Sequence, residues 1–311
     1  MRKQDIVLLV GSLCSMALGV CMPFIGEPLS WFPRVCMLWL LFICFLGVDG
    51  MDAWRNVTHY PWAILLLICL KLIIMPFICW GIIYLVFPEF SLGVVLLGGS
   101  ATAVVAPFFA FMVQADVVLV VVGLVTTSLL LPLTLPLVLA CIGKLAQVEG
   151  GIQLELPVFS MILSLSTMIV VPFICAQILR RKGPNIAETI LTFRQYFFFV
   201  GSSLTLIVIF AQYSVVILQS PQYLLYAFIC AAATGLLVFF LVSSMTFWLP
   251  PVKQLAFVIS CVAINNVVVL VLSVDFFHAP EALTTAMYSG VLFLTFPFYR
   301  VLARLRRLGP R

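Results

Sequence analysis

The fold of this chain is decided by residues 92–141, which read LGVVLLGGSATAVVAPFFAFMVQADVVLVVVGLVTTSLLLPLTLPLVLAC. The run is apolar almost throughout, and it is interrupted only at Gln114, Ala115 and Asp116. A helix needs about 20 apolar residues to cross the roughly 30 Å hydrocarbon core of a bilayer. The run is too long for one such helix, so it predicts two membrane spans that meet at Gln114–Asp116.

The composition of the whole chain is also that of a protein embedded in lipid. Of its 311 residues, 64% are hydrophobic and 9% are charged, and the mean hydropathy is +1.26. A soluble domain carries charge on about a quarter of its residues. Soluble enzymes and nucleic-acid-binding proteins are therefore excluded, and the net charge of +5 is interpreted as a signal for membrane orientation.

Prolines, glycines and charged residues divide the chain into further spans. The sequence predicts ten, at about 6–25, 33–48, 61–87, 92–114, 117–141, 157–180, 195–218, 222–248, 253–275 and 281–303. The loops between them are short, so we expect a single membrane domain over residues 1–311.

The basic residues orient these spans. If both termini are cytoplasmic, only Arg34 and Lys144 lie outside, apart from Lys71 within a span. The inside residues are Arg2, Lys3, Arg55, Arg180, Arg181, Lys182, Arg194, Lys253, Arg300, Arg304, Arg306, Arg307 and Arg311. We therefore expect an integral membrane protein with cytoplasmic termini, and the compact chain is typical of a bacterial inner membrane.

Lys71 is the charged residue that lies deepest in an apolar run, about ten residues from either end of its predicted span. A lysine at the bilayer centre costs about 3 kcal/mol on insertion scales, so it should face a cavity or a partner. The alternative is an ammonium that extends to the membrane surface, and the reach is too long from this depth.

Polar groups and a proline predict that the fourth and ninth spans are discontinuous. Pro107 lies in the middle of the fourth span, where it removes a backbone hydrogen bond, although a simple kink is the alternative. Asn265 and Asn266 lie in the middle of the ninth span, one turn after Cys261, and two adjacent amides in hydrocarbon need partners. Breaks at matching positions of two halves are typical of a midplane substrate site in a secondary transporter.

Thr127 and Ser128 in the fifth span are further candidate site residues. The alternative is that their hydroxyls bond only to their own helix. No metal site is expected, because nearly all of the ten cysteines lie in apolar runs and none forms a CxxC pair. No acid–base pair or nucleophile can be assembled from the mid-span residues, so an enzyme is not expected either.

Ten spans allow an inverted repeat of five plus five, with repeats at about 1–142 and 156–303. The first and sixth spans share a Pro-Phe-Ile motif, at 23–25 and 172–174. A third copy at 76–78 does not fit the repeat and favours chance similarity.

The stretch from Asp116 to Pro136 resembles the GDVALS…STLLxPLxTP pattern of the bile acid:sodium symporter family, with the same spacing from the aspartate to both prolines. Four other stretches resemble family motifs in the same order along the chain. They are residues 45–54 (FxxG…DF in the family), 71–76 (QFxxMP), 98–101 (GGTAS) and 262–266 (EVGMQN).

The resemblance implies an all-α membrane fold of two inverted five-helix repeats. The helices of spans 4 and 9 would be discontinuous and would cross in a core domain. The helices of spans 1, 2, 6 and 7 would form a panel. Substrate would bind between panel and core, and rocking of one against the other would give alternating access. Family members carry organic anions such as bile acids, pantoate or pyruvate-like acids.

The sodium ligands of the family are not kept in this sequence. Counted back from Asp116, the serine and asparagine of the fourth helix fall on Ala106 and Pro107, whereas counted forward from Gly98 they fall on Thr102 and Ala103. Other ligand positions hold Val120, Leu124, Cys261 and Asn265, and the glutamine of the third helix is Lys71. A hard cation needs oxygen ligands, and most of them are absent here.

We therefore expect Lys71 to replace a sodium ion in a secondary transporter of a small organic anion. Exchange of a proton by the amine would couple transport to the proton gradient, and no other cofactor and no nucleic-acid partner are expected. The alternatives are a sodium-coupled bile-acid-type symporter, an arsenite-type efflux protein, and a non-transporting sensor or degenerate family member.

Overall fold

A computed structural model describes residues 3–48, 61–148 and 157–306. Within these ranges the chain is helical apart from turns and one β-bridge. In chain order the helices are α1 (Lys3–Cys21), α2 (Phe32–Leu46), α3 (Pro61–Tyr84), α4 (Ser91–Gly98), α5 (Ala106–Met112), α6 (Val117–Val148), α7 (Val158–Lys182), α8 (Pro184–Thr192), α9 (Arg194–Gln212), α10 (Ser214–Gln219), α11 (Pro221–Met245), α12 (Pro251–Val262), α13 (Asn266–Phe276), α14 (Ala279–Leu294) and α15 (Phe296–Leu305). Short 3₁₀ turns lie at Pro23–Ile25 and Pro88–Phe90.

Several of these helices are built to cross a membrane. Among the described residues, α3, α6, α7 and α11 are each long and apolar enough to do so. The pairs α8–α9 and α14–α15 are bent by 62° and 50°, and the number rises to six if each pair is one span. The described residues therefore have the all-helical architecture that the sequence predicts, with several helices able to span a membrane. The count of ten spans and the inverted repeat stay predictions.

Some of the residues used to orient the chain fall outside the described ranges. They are Arg2, Arg55, Arg307 and Arg311, and residues 149–156, which hold most of the predicted boundary between the repeats, lie outside as well.

The division of the long apolar run is confirmed. Helix α5 ends at Met112 and α6 begins at Val117. Gln114 has a φ of 60°, a left-handed conformation that turns the chain. The Asp116 carboxylate then accepts a hydrogen bond of 3.0 Å from the Leu119 N–H at the start of α6.

The two discontinuous helices cross at their breaks. The segment between α4 and α5 pairs with the segment between α12 and α13 as a short antiparallel bridge. The Ala103 N–H donates to the Ala263 carbonyl and the Asn265 N–H donates to the Ala101 carbonyl, both at 2.8 Å. Each break therefore supplies partners for backbone groups of the other, which lipid could not supply.

The predicted position of the first break was wrong in one respect. Pro107 does not interrupt a helix, because it is the second residue of α5, where a missing N–H costs no helical hydrogen bond. The interruption lies earlier, at residues 99–105.

Helix α3 lies against the crossing. Gly123 of α6 allows a close approach, because a Cβ at this position would come within 2.6 Å of a methyl carbon of Leu67. In the middle of α3, Cys69–Ile74 forms a π-helical turn. Pro76 follows it, and proline cannot donate to the carbonyl four residues earlier, so the widened turn is consistent with this local loss.

Candidate substrate and ion site

The centre of the candidate site is the ammonium of Lys71, which projects from the π-helical turn of α3. Its side chain is fully buried, with 0% exposure. The Nζ atom donates hydrogen bonds of 2.7 Å to the Ser260 carbonyl and 3.0 Å to the Cys261 carbonyl. The amine therefore points into the protein, and the alternative of an ammonium that extends to the membrane surface is wrong.

The two acceptors lie in the last turn of α12, next to its break. Carbonyl groups at the end of a helix have no partner within that helix, and they carry the negative end of its dipole. A cation is favoured at this place. No carboxylate in the described part of the chain forms an ion pair with Lys71, so backbone dipoles hold this charge.

Two threonines extend the network from Lys71 to the break between α4 and α5. The Thr102 hydroxyl donates to the Ser260 carbonyl at 3.0 Å, so this oxygen is shared with the Lys71 ammonium. The Thr102 N–H in turn donates to the Thr127 hydroxyl at 3.1 Å, and that hydroxyl donates to the Gly123 carbonyl of its own helix. The chain of contacts joins α3, α6 and both broken helices.

The two asparagines have different surroundings at the start of α13. Asn265 contributes its backbone N–H to the bridge between the breaks, and its side chain is buried. The Asn266 side-chain amide donates to the Ser289 hydroxyl of α14 at 2.6 Å. The other side-chain atom of Asn266, its Oδ1, is buried and has no hydrogen-bond partner among the described residues.

The predicted site residues fall into three groups in the structure. Lys71, Thr127 and Cys261 belong to one hydrogen-bond network, with Cys261 taking part through its backbone carbonyl. Asn265 and Asn266 line the neighbouring break. Ser128 follows Thr127 and its buried hydroxyl has no partner within the described ranges.

Pro107 stands apart from these groups. It is half-buried at the start of α5. Of the two ways to count the family's ligand positions, the forward count reaches Thr102, which lies in the break and in the network. The backward count, which reaches Pro107, therefore gives a residue beyond the break.

Sequence reasoning missed three residues of this region as candidates: Thr102, Ser260 and Ser289. Thr102 was reached only by one of the two counts of the family's ligand positions, and its hydroxyl, three residues after Gly99 in an apolar run, could have singled it out. Ser260 takes part through its backbone carbonyl. Because every residue has a backbone carbonyl, the sequence does not show this role. Its own hydroxyl is buried without a partner in the described part of the chain.

Comparison with known families gives one match. The model of the Sodium Bile acid symporter family matches residues 34–220, more than half of the chain. No curated protein matches the sequence. The matched region holds Lys71, Thr102 and Thr127, whereas α12 and α13, which supply the carbonyls and the asparagines, lie after its end.

Proposed function

The chain belongs to the sodium bile acid symporter family, and from this membership we propose that it carries a small organic anion across the membrane without sodium. The family consists of membrane transporters and not of enzymes. The proposal adds the substrate class, the independence from sodium and the mechanism of alternating access.

The observation that carries the proposal is the contact of the Lys71 ammonium with the carbonyls of Ser260 and Cys261. Carbonyl oxygens are ligands of hard cations, and these two lie at the negative end of a helix. An ammonium here gives the electrostatic stabilisation that a bound sodium ion would give. Because the ammonium is covalently attached, its charge stays in the site throughout a transport cycle and no ion has to bind or leave.

The residues present do not fit a sodium ion at this place. The carbonyl oxygens already accept hydrogen bonds from Lys71, and a second cation beside a buried ammonium would be repelled strongly at low dielectric. The Ser260 carbonyl also accepts a second hydrogen bond, which comes from the Thr102 hydroxyl. No step of the proposed mechanism therefore involves sodium.

Unpartnered polar atoms support a substrate site beside this cation. The Asn266 Oδ1 and the hydroxyls of Ser128 and Ser260 are buried, and no partner for them is found among the described residues. Such atoms are costly unless a ligand or a water pairs with them. We propose that the two serines donate to the substrate's carboxylate, that Asn265 and Asn266 bind its polar substituents, and that Thr127 holds the break in place.

The mechanism proposed is alternating access in a bacterial inner membrane, with both termini in the cytoplasm. The two broken helices form the core domain. The panel consists of α1, α2, α7 and α9, which are the helices of predicted spans 1, 2, 6 and 7. Rocking of the panel against the core would open the site to one side and then to the other. We propose that the charge of Lys71 is permanent. Exchange of a proton by the Lys71 amine during the cycle is the alternative, and dependence of uptake on the pH gradient would reveal it.

The experiment is uptake by proteoliposomes that contain the purified full-length protein. Radiolabelled cholate, pantoate and pyruvate are offered in sodium and in potassium buffer, each with and without a pH gradient. Equal uptake of at least one acid in both buffers is expected. Strict dependence on sodium would instead show a sodium-coupled symporter, and absence of uptake under every condition would favour a sensor.

The variant Lys71→Gln sharpens this experiment. It restores the side chain that the family motif has at this position and frees the two carbonyls for another cation. We expect the thermal stability and the uptake of this variant to rise with sodium concentration. Those of the wild type should not change. Lys144→Gln, at an exposed position of α6, is the matched control and should remain insensitive to sodium.

A further inference from the structure

An open cavity of about 360 Å³ lies between α2 and α7, lined by residues 34–38 of α2 and residues 160–168 of α7. Its volume falls within the range of small-molecule sites, which is about 300–1,000 Å³. Its lining residues all come from these two helices, and none of them belongs to the Lys71 network.

The lining has one charged end, one polar wall and an apolar remainder. Arg34 and Leu38 are one turn apart on α2, so they share a face. Ser160, Ser164 and Thr167 follow at intervals of four and three residues on α7, so their hydroxyls also share a face. Leucine and methionine side chains of α7 complete the walls. A molecule that fits this lining has an anionic head and an apolar body.

Arg34 is joined to a third helix by an ion pair. Its Nη2 atom lies 2.8 Å from Oδ2 of Asp275, near the end of α13, and the side chains are 55% and 17% exposed respectively. A guanidinium has five N–H donors, so an incoming carboxylate can engage the remaining donors before Asp275 is displaced.

The two charges of this pair stand at the wrong ends of their helices. Cations are favoured at helix C-termini and anions at N-termini, whereas Arg34 lies in the first turn of α2 and Asp275 in the last turn of α13. The stability of the individual helices therefore does not account for either charge. What the pair does is to link α2 to the broken helix α13.

We propose that this cavity is a binding site for an amphipathic monocarboxylate, whose carboxylate takes the place of Asp275 on Arg34. The inference rests on the proposed function, because it names the class of anion and its first binding site. Arg34 exchanges one carboxylate for another, so the guanidinium has an anionic partner both before and after the exchange. The exchange releases α2 from α13, and occupancy of the cavity thereby loosens the panel from the core.

Ser164 is suited to receive the second oxygen of such a carboxylate. Its hydroxyl oxygen lies 3.8 Å from the sulfur of Met168, and a thioether is a weak acceptor. Turning this hydroxyl toward a carboxylate replaces a weak hydrogen bond by a charge-assisted one. The Thr167 hydroxyl, in contrast, donates to the Leu163 carbonyl of its own helix at 2.8 Å.

The test is equilibrium binding of tritiated 4-phenylbutyrate to the full-length protein purified in detergent, with 4-phenylbutyramide as the uncharged competitor. The wild type is expected to bind the acid, and the amide should not displace it. Arg34→Gln should weaken binding about tenfold or more, because charge-assisted hydrogen bonds are lost. Asp275→Asn should tighten binding several-fold, because the competing carboxylate is gone.

A matched control and a competitor keep the result specific. Arg181→Gln, an exposed arginine at the other end of α7, should leave binding unchanged. Phosphatidylglycerol is titrated as the competing anionic headgroup. If it binds in an Arg34-dependent way and 4-phenylbutyrate does not, the cavity is a lipid site and the proposal is overturned.

Opposite effects of the two substitutions are the decisive result. If Arg34→Gln and Asp275→Asn weaken binding equally, or if neither changes it, the ion pair is only structural and the proposal fails. Uptake by proteoliposomes separates this outcome from the proposed function. If an organic anion is taken up equally well by the wild type and by Arg34→Gln, the proposed function stands and this site is not part of it. If binding depends on Arg34 but no uptake occurs, the site stands and the proposed function fails.

Discussion

Lys71 and Arg34 are two cations of the same membrane protein with opposite surroundings. Lys71 is completely buried, and its contacts are two carbonyl oxygens that cannot leave. Arg34 is more than half exposed, and its contact is a carboxylate on another helix. Fixed dipoles suit a permanent charge, whereas a mobile carboxylate suits an exchangeable one. The difference agrees with the two proposals, a permanent cation at the crossing and a ligand-binding cation at the cavity.

The largest effect is expected from Lys71→Met, which tests whether the buried cation is structural. The substitution keeps an unbranched side chain but removes both hydrogen bonds to the last turn of α12. The Ser260 carbonyl keeps its hydrogen bond from Thr102, but the loss of two charge-assisted hydrogen bonds, one of them to the Cys261 carbonyl, should lower the free energy of unfolding by about 3 kcal/mol and abolish uptake. Thermal unfolding in detergent and proteoliposome uptake measure the two effects.

Lys144→Met is the control for the loss of a lysine as such, because Lys144 is exposed on α6. Its unfolding and uptake should match those of the wild type. A Lys71→Met protein with wild-type stability would show that the carbonyls do not need the ammonium, and the contrast between the two cations would then have no energetic basis.

Thr127→Val should have the next largest effect. It leaves the buried Thr102 N–H without its acceptor, which should cost about 2 kcal/mol of unfolding free energy and slow uptake. The neighbouring Thr126→Val is the matched control, because the Thr126 hydroxyl bonds only to carbonyls of its own helix. Equal losses of stability in the two variants would mean that the hydrogen bond between α6 and the break does not contribute measurably to the free energy of unfolding.

The contrast also shows what the sequence could and could not predict. The burial of Lys71 followed from its depth in an apolar run, and the break near Asn265 followed from adjacent amides in hydrocarbon. The acceptors of Lys71 could not be predicted, because they are backbone carbonyls and one lies 189 residues away in the chain. The sequence predicts the first break at Pro107, because proline interrupts helices, whereas in the structure Pro107 lies at the start of a helix.

The Arg34 cavity could not be predicted from the sequence for a similar reason. Arg34 and Asp275 both lie at predicted span ends, where charges are normally solvated, and nothing in their local sequence connects them. Their proximity depends on how α2 and α13 pack, which periodicity and composition do not determine. The hydroxyls of α7 gave no signal either, since serines and threonines in membrane helices usually bond to their own backbone.

Asn266→Leu should separate ligand binding from stability at the crossing. The substitution loses one hydrogen bond to Ser289 but also removes the buried, unpartnered Oδ1, so the net change in unfolding free energy should be below about 1 kcal/mol. Uptake should nevertheless fall at least tenfold, because the amide is a proposed substrate contact. Ser289→Ala is the control, since it removes the same hydrogen bond and keeps the amide. If both variants transport equally well, Asn266 is not a substrate contact.

The smallest effect on stability is expected at the Arg34–Asp275 pair, where the change in binding should be large. An ion pair between partly exposed side chains contributes about 0.2–1 kcal/mol to the free energy of unfolding. A double-mutant cycle of Arg34→Gln and Asp275→Asn, measured by thermal unfolding in detergent without ligand, should give a coupling within that range, and salt should reduce it. A coupling of several kcal/mol would mean that the link is too strong for a carboxylate substrate to displace Asp275. Arg34 would then be as permanently bound as Lys71, and the difference between the two cations would be one of position and not of role.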